Sequence, residues 1–223
     1  MVTDWMTLAA ADGHALSAYR ALPAGKPLGG VVVIQEIFGV NDHVRRITEE
    51  LAAAGFAAVA PALFDRYERN VDLGYTDDDR QKGMAFMSHF DFAKALADVA
   101  AAKAALAPIG KVGIVGFCLG GTIAYLSACR QDFDASVGYY GGGIARFPDD
   151  RPRGPLMLHF GEADAHIPLS VGEKVKAESP AVEVYTYPGG HGFMRKETPA
   201  AYDEASAVLS WQRSLDFLKL HLA

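Results

Sequence analysis

Residues 112–121 read Val-Gly-Ile-Val-Gly-Phe-Cys-Leu-Gly-Gly, an apolar strand that runs through Gly-x-Cys-x-Gly directly into a helical pattern. Few turns join a strand to a helix in so short a space. The central residue of such a turn takes strained dihedrals and its neighbours pass close to backbone, which requires small residues at Gly116 and Gly120. The pattern is that of a nucleophile elbow with sulfur in place of the usual serine oxygen. Cys118 then stands clear of the sheet at the start of the next helix, whose N–H groups and dipole favour thiolate and can form half of an oxyanion hole. Taken alone, the string fits a strand–helix turn with a structural cysteine equally well.

The rest of the chain supplies the frame such an elbow needs. Two short strand candidates flank Asp12-Gly13 as a hairpin, and after them strands and helices alternate. Gly30 to Glu36 reads as a continuous apolar strand. Asn41-Asp42 can cap a helix to about Ala54, and Gly55 ends it before a strand at Ala57 to Ala60. Further strands are expected at Val112 to Val115, Ala135 to Tyr140, Pro155 to Phe160 and Val182 to Tyr187, with helices near Leu119 to Ala128, Ser170 to Ala177 and Pro199 to His221. Valine- and isoleucine-rich strands spaced by helices predict an α/β domain with a mostly parallel central sheet and helices on both faces. Asp65 to Asp91 is too long for an ordinary connection. It is expected either to cap the site or to form a solvated insertion with a short helix.

At 223 residues, half of them hydrophobic, the chain has material for one substantial core, and a single domain over 1–223 is expected. A net charge of −6 argues against a nucleic-acid role. No apolar run approaches the roughly 20 residues of a membrane span, and the first five residues lack the features of a signal peptide. A soluble cytoplasmic protein is expected, with monomer as the default. Cys129 lies on the same predicted helix as Cys118, about 16 Å further along it, beyond the roughly 7 Å limit between bridged Cα atoms. Cys129 reads as a packing residue. No metal-ligand spacing is present, so no metal or organic cofactor is implied.

A thiol needs a base, and the base needs an orienting group. His191 lies in Pro188-Gly189-Gly190-His191-Gly192-Phe193 and Asp164 in Phe160-Gly161-Glu162-Ala163-Asp164-Ala165-His166-Ile167-Pro168, each just beyond the C-terminal end of a predicted strand. The chain order of nucleophile, acid and histidine is that of the α/β-hydrolases, whose ligands bind at that end of the sheet. His166 is the rival to His191 and Glu162 the rival to Asp164. His14, His43, His159 and His221 read as surface or packing residues.

In these loops the chain resembles the dienelactone hydrolases (carboxymethylenebutenolidases), cysteine-dependent α/β-hydrolases. Gln35-Glu36-Ile37-Phe38-Gly39-Val40-Asn41 is similar to the family's first loop, and Val137-Gly138-Tyr139-Tyr140-Gly141 to the end of a later strand. The resemblance implies Cys118, His191 and Asp164 as the triad and places Glu36 beside the thiol. A carboxylate there opposes a second negative charge and holds the resting cysteine as a thiol until an anionic substrate reorganises it. Leu119 and Ile37 are implied as oxyanion donors, and Tyr140 and Phe38 as pocket residues.

The family binds its substrate's carboxylate with two arginines, of which Arg195 matches one. The other aligns with Lys82, although Arg80 is close. Lysine lacks the bidentate fork of arginine, so substrate choice is expected to shift. Phe86 and His89 stand where the family has a tyrosine and a tryptophan. The implied activity is the opening of dienelactone-type lactones through an acyl-thioester. The alternatives are an esterase for other small, neutral esters and a non-catalytic small-molecule or redox-sensing domain. The partner in either catalytic case is a small lactone or ester.

Overall fold

The computed structural model describes all 223 residues. They form two compact units, Met1–Val112 and Gly113–Ala223.

The first unit opens with β1 (Val2–Ala9) and β2 (Ala15–Leu22), an antiparallel hairpin that turns at Gly13 with φ of 84°. The Asp12-Gly13 signal is the reason: only glycine takes a positive φ there without strain. Then follow β3 (Gly30–Ile34), α1 (Asp42–Ala53) and β4 (Ala57–Pro61), and the strands lie in the order β1-β2-β4-β3. β4 runs antiparallel to β2 and parallel to β3. Asn41 caps α1 by accepting from the Val44 N–H, and Gly55 (φ 100°) follows its end, as expected. β3 stops two residues short of the expected Glu36. Just beyond its end, Gln35 Oε1 accepts from the Leu63 N–H at 3.0 Å.

The long connection holds α2 (Asp77–Met87), started by a reciprocal Thr76–Asp79 capping box, and leads to α3 (Phe92–Leu106), which packs on β3 and β4. α2 is exposed except at Gly83 and Phe86. Phe86 stacks against Phe64 with ring centroids 4.7 Å apart, and a Cβ on Gly83 would run into the Ile37 carbonyl. The segment therefore sits directly on the 35–41 loop.

The second unit is wholly parallel, with β5 (Val112–Phe117), β6 (Ala135–Tyr139), β7 (Leu156–Gly161) and β8 (Glu183–Tyr187) in that order. α4 (Leu119–Arg130) follows β5, α5 (Ser170–Glu178) follows β7, and α6 (Glu204–Leu222) packs on β6 and β7. α6 begins five residues after the expected Pro199. Residues 198–202 form a turn on the Thr198 carbonyl, and Asp203 supplies the cap by accepting from the Ser206 N–H. No helix is long and apolar enough to cross a membrane.

A polar chain runs through this second core. His159 is fully buried on β7, with Nδ1 2.8 Å from the Tyr187 hydroxyl and Nε2 3.0 Å from Ser214 Oγ. Burial, and next the nearby Arg213 charge, push its pKa down from 6.5 to about 3. In the unfolded chain the same imidazole takes up its proton near 6.5. The unfolded state therefore binds more protons as pH falls below 6.5, and this contribution to stability is lost progressively down to about 3. The unfolding free energy should fall by about 1.4 kcal/mol per pH unit from this group alone within that window. Denaturant melts of wild type and His159→Gln between pH 6.5 and 4.5 check it, since the variant should have the shallower pH dependence.

Candidate active site

The elbow is built by glycine. A Cβ on Gly116 would run into the Gly120 carbonyl oxygen, and one on Gly121 into the Tyr139 carbonyl. This close approach lets β5 turn into α4 within one residue. That residue is Cys118, at φ 54° and ψ −110°, a conformation that side chains rarely adopt. Its N–H donates to the Tyr139 carbonyl at 3.0 Å and its carbonyl accepts from the Thr122 N–H at 3.2 Å. The strain is thus pinned from both sides. α4 begins at Leu119 with Cys118 at its N-cap, so the N–H groups of its first turn have no partner within the helix.

His191 and Asp164 reach the same place from the ends of β8 and β7. Asp164 Oδ2 lies 2.8 Å from His191 Nδ1, which leaves the other ring nitrogen for a hydrogen bond to Cys118. The Asp164 side chain is 1% exposed and that of His191 is 21%. Asp164 Oδ1 accepts from the backbone N–H groups of His166 and Ile167 at 2.8 and 3.2 Å. Burial works to raise the Asp164 pKa, but the His191 hydrogen bond and these N–H groups outweigh it and hold the carboxyl below its usual range. For His191 burial favours the neutral ring, yet the hydrogen bonds and negative charges of Asp164 and Cys118 prevail and push its pKa up to about 10.

The rival residues fall aside. His166 is exposed with its ring 5.9 Å from that of His191, and Asp164 bonds its backbone, not its imidazole. Glu162 is exposed and accepts from the Thr186 hydroxyl. Tyr140 is fully buried, with its ring 5.0 Å from His191 and an unusual φ of 38°. No sequence signal marks that strain, because a tyrosine at positive φ has no characteristic motif. Arg195 is buried with its guanidinium laid over Gly192, whose φ is 82°; a Cβ there would sit 2.6 Å from Arg195 Cζ. Cys129 is buried, free, and raised to about 11 by burial above all.

The remaining residues belong to the first unit. Glu36 is fully buried and its Oε2 accepts from the Tyr75 hydroxyl at 3.4 Å. Phe38 packs edge-on against Tyr75 at 4.7 Å. Lys82 is half exposed and pairs with Glu68 at 2.7 Å, while Arg80 pairs with Asp77 at 2.7 Å. His89 packs on the Tyr67 ring at 5.3 Å. No group of three or more His, Cys, Asp or Glu side chains is placed to hold a metal ion.

Residues 16–222 match the model of the dienelactone hydrolase family. The chain is 34% identical over 230 residues to a carboxymethylenebutenolidase of Pseudomonas putida, covering 98% of this chain and 97% of that one. It is 30% identical to carboxymethylenebutenolidase 1 of Cupriavidus pinatubonensis, covering 99% and 98%. Among solved structures, one from Klebsiella pneumoniae provisionally named a dienelactone hydrolase superposes with a TM-score of 0.82 at 28% identity, over 97% of this chain and 98% of that one. The chain belongs to the dienelactone hydrolase family, enzymes built on the α/β-hydrolase fold.

Proposed function

We propose that the protein hydrolyses dienelactone-type lactones through a thioester on Cys118. The observation that carries this reading is the continuous array of Asp164, His191 and Cys118 within the second unit. His191 takes the Cys118 thiol proton as Sγ attacks the ester carbonyl, and the carbonyl oxygen gains charge next to the Leu119 N–H at the head of α4. Ile37 is the second donor on the strength of the family resemblance. The C–O bond breaks, the leaving enolate oxygen takes a proton from His191, and in a lactone it stays tethered to the acyl group. His191 then takes a proton from water, which attacks the thioester and releases the sulfur.

The electrostatics suit these two duties. Asp164 and Cys118 both raise the His191 pKa, and acylation of the sulfur removes its part in that. His191 thereby becomes a base when one is needed, while Asp164 keeps it oriented. The array alone favours an imidazolium, so a neutral resting thiol depends on a further negative charge, the part the resemblance gives to Glu36.

Arg195 is the proposed anchor for a substrate carboxylate and Tyr140 a substrate-binding residue of the second unit, while the family resemblance implies Phe38 and Lys82 of the first as further substrate-binding residues, Lys82 as the second cation. One observation favours a competing esterase reading. Lys82 already spends its charge on Glu68. The ratio of kcat/KM for a carboxylate-bearing dienelactone to that of its neutral methyl ester decides between them: a ratio well above one supports the lactonase, and a ratio near one the esterase. Arg195→Ala should lower the ratio by more than Lys82→Ala does.

Cys118→Ala should lower kcat/KM by at least about a thousandfold, and Cys118→Ser by nearly as much, since the array is set for a thiol proton. Asp164→Asn should lower kcat by roughly a thousandfold or more. Acyl transfer to sulfur is checked by intact mass of the rapidly quenched enzyme, where Cys118→Ala must show no adduct.

A further inference from the structure

His159 has no part in the proposed chemistry, yet it joins three elements of the second core, and one assignment of the protons around it uses every group. Arg213, which can only donate, gives an N–H to the Tyr187 hydroxyl at 3.1 Å. The Tyr187 hydroxyl lies 2.8 Å from His159 Nδ1 and can donate to it. In that arrangement Nε2 carries the ring proton and donates to Ser214 Oγ at 3.0 Å. Ser214 passes its own hydrogen to the Ser210 carbonyl at 3.0 Å, which leaves Oγ to accept from the Tyr139 hydroxyl at 2.6 Å. The Tyr139 and His159 rings also stack at 4.4 Å. Ser214 Oγ is shared by three of these partners and the Tyr187 hydroxyl by two, so the side chains of the network constrain one another.

The three residues it ties together hold the loops of the array by their main chains. The Tyr139 carbonyl accepts the Cys118 N–H at 3.0 Å. That of Tyr187 accepts the Glu162 N–H at 2.7 Å, at the head of the Asp164 loop, and Tyr187 itself stands four residues before His191. The His159 carbonyl accepts the N–H of Tyr140, whose ring packs on His191. We infer that His159 is a positioning residue for the array, setting the Cys118–His191 geometry through Tyr139 and Tyr187. The inference rests on the reading of that array as the triad.

The test compares wild type, His159→Phe and His159→Gln by kcat, KM, and the rate at which iodoacetamide alkylates Cys118 from pH 5 to 10. Phenylalanine keeps a stacking ring and deletes both hydrogen bonds, whereas glutamine retains an N–H that can reach Ser214. The expected result for His159→Phe is a kcat lower by about ten- to a hundredfold, with KM little changed and the alkylation profile displaced along the pH axis. Glutamine should recover the larger part of kcat. A folded His159→Phe enzyme with wild-type kcat and alkylation profile, differing only in Tm, would overturn the inference and leave His159 a structural residue. Should His159→Phe not fold, Tyr139→Phe deletes one hydroxyl from the same network and is read by the same two measurements. Hydrolysis that survives Cys118→Ala would overturn the triad reading instead, while the alkylation profiles still report whether His159 sets the environment of the sulfur.

Discussion

The structure of the candidate site depends on backbone meeting backbone without side chains between. β5 turns into α4 within one residue because Gly116 lies against the Gly120 carbonyl and Gly121 against that of Tyr139, spaces no Cβ can enter. Strain of order 1–3 kcal/mol at a positive φ persists only where the surroundings over-determine it. Here the Cys118 N–H and carbonyl are both bonded, and the neighbouring strand is followed at once by a second strained residue, Tyr140. The distortion places a sulfur over a helix start and within reach of a histidine.

That histidine shows how burial and charge compete in a site of this kind. Removing an imidazole from water favours its neutral form, and His159 follows that rule with a pKa near 3. His191 is also withdrawn from water yet lies at about 10, because Asp164 and Cys118 stand against it. Two rings of the same unit are thus pushed in opposite directions. The difference lies in their partners: a hydroxyl and a serine for one, a carboxylate and a sulfur for the other.

Features encoded within a few residues were legible from the chain. The hairpin at Asp12-Gly13, the Asn41 cap, the Gly55 stop and the elbow itself each rest on local backbone preferences, and the order Cys118, Asp164, His191 follows from placing loops after strands. Features that depend on distant partners were not. The early end of β3 stands beside the bond from Leu63 to Gln35, and the late start of α6 needs the turn on Thr198. Lys82 could be aligned with a substrate anchor, but its pairing with Glu68 follows from how the 65–91 segment folds back on itself. His159 read as a packing residue because its meaning lies in Ser214, fifty-five positions away.

α6 follows all three candidate loops in the chain, and it supplies Arg213 and Ser214 to the hydrogen-bond chain beneath them. Synthesis proceeds from the N-terminus, so the sulfur, the acid and the histidine all leave the ribosome before the helix that braces their strands. A nascent chain lacking residues 204–222 carries all three candidate groups but not the helix that completes this hydrogen-bond chain. The Cys118 thiol therefore acquires its full setting only after the rest of the second unit has been made.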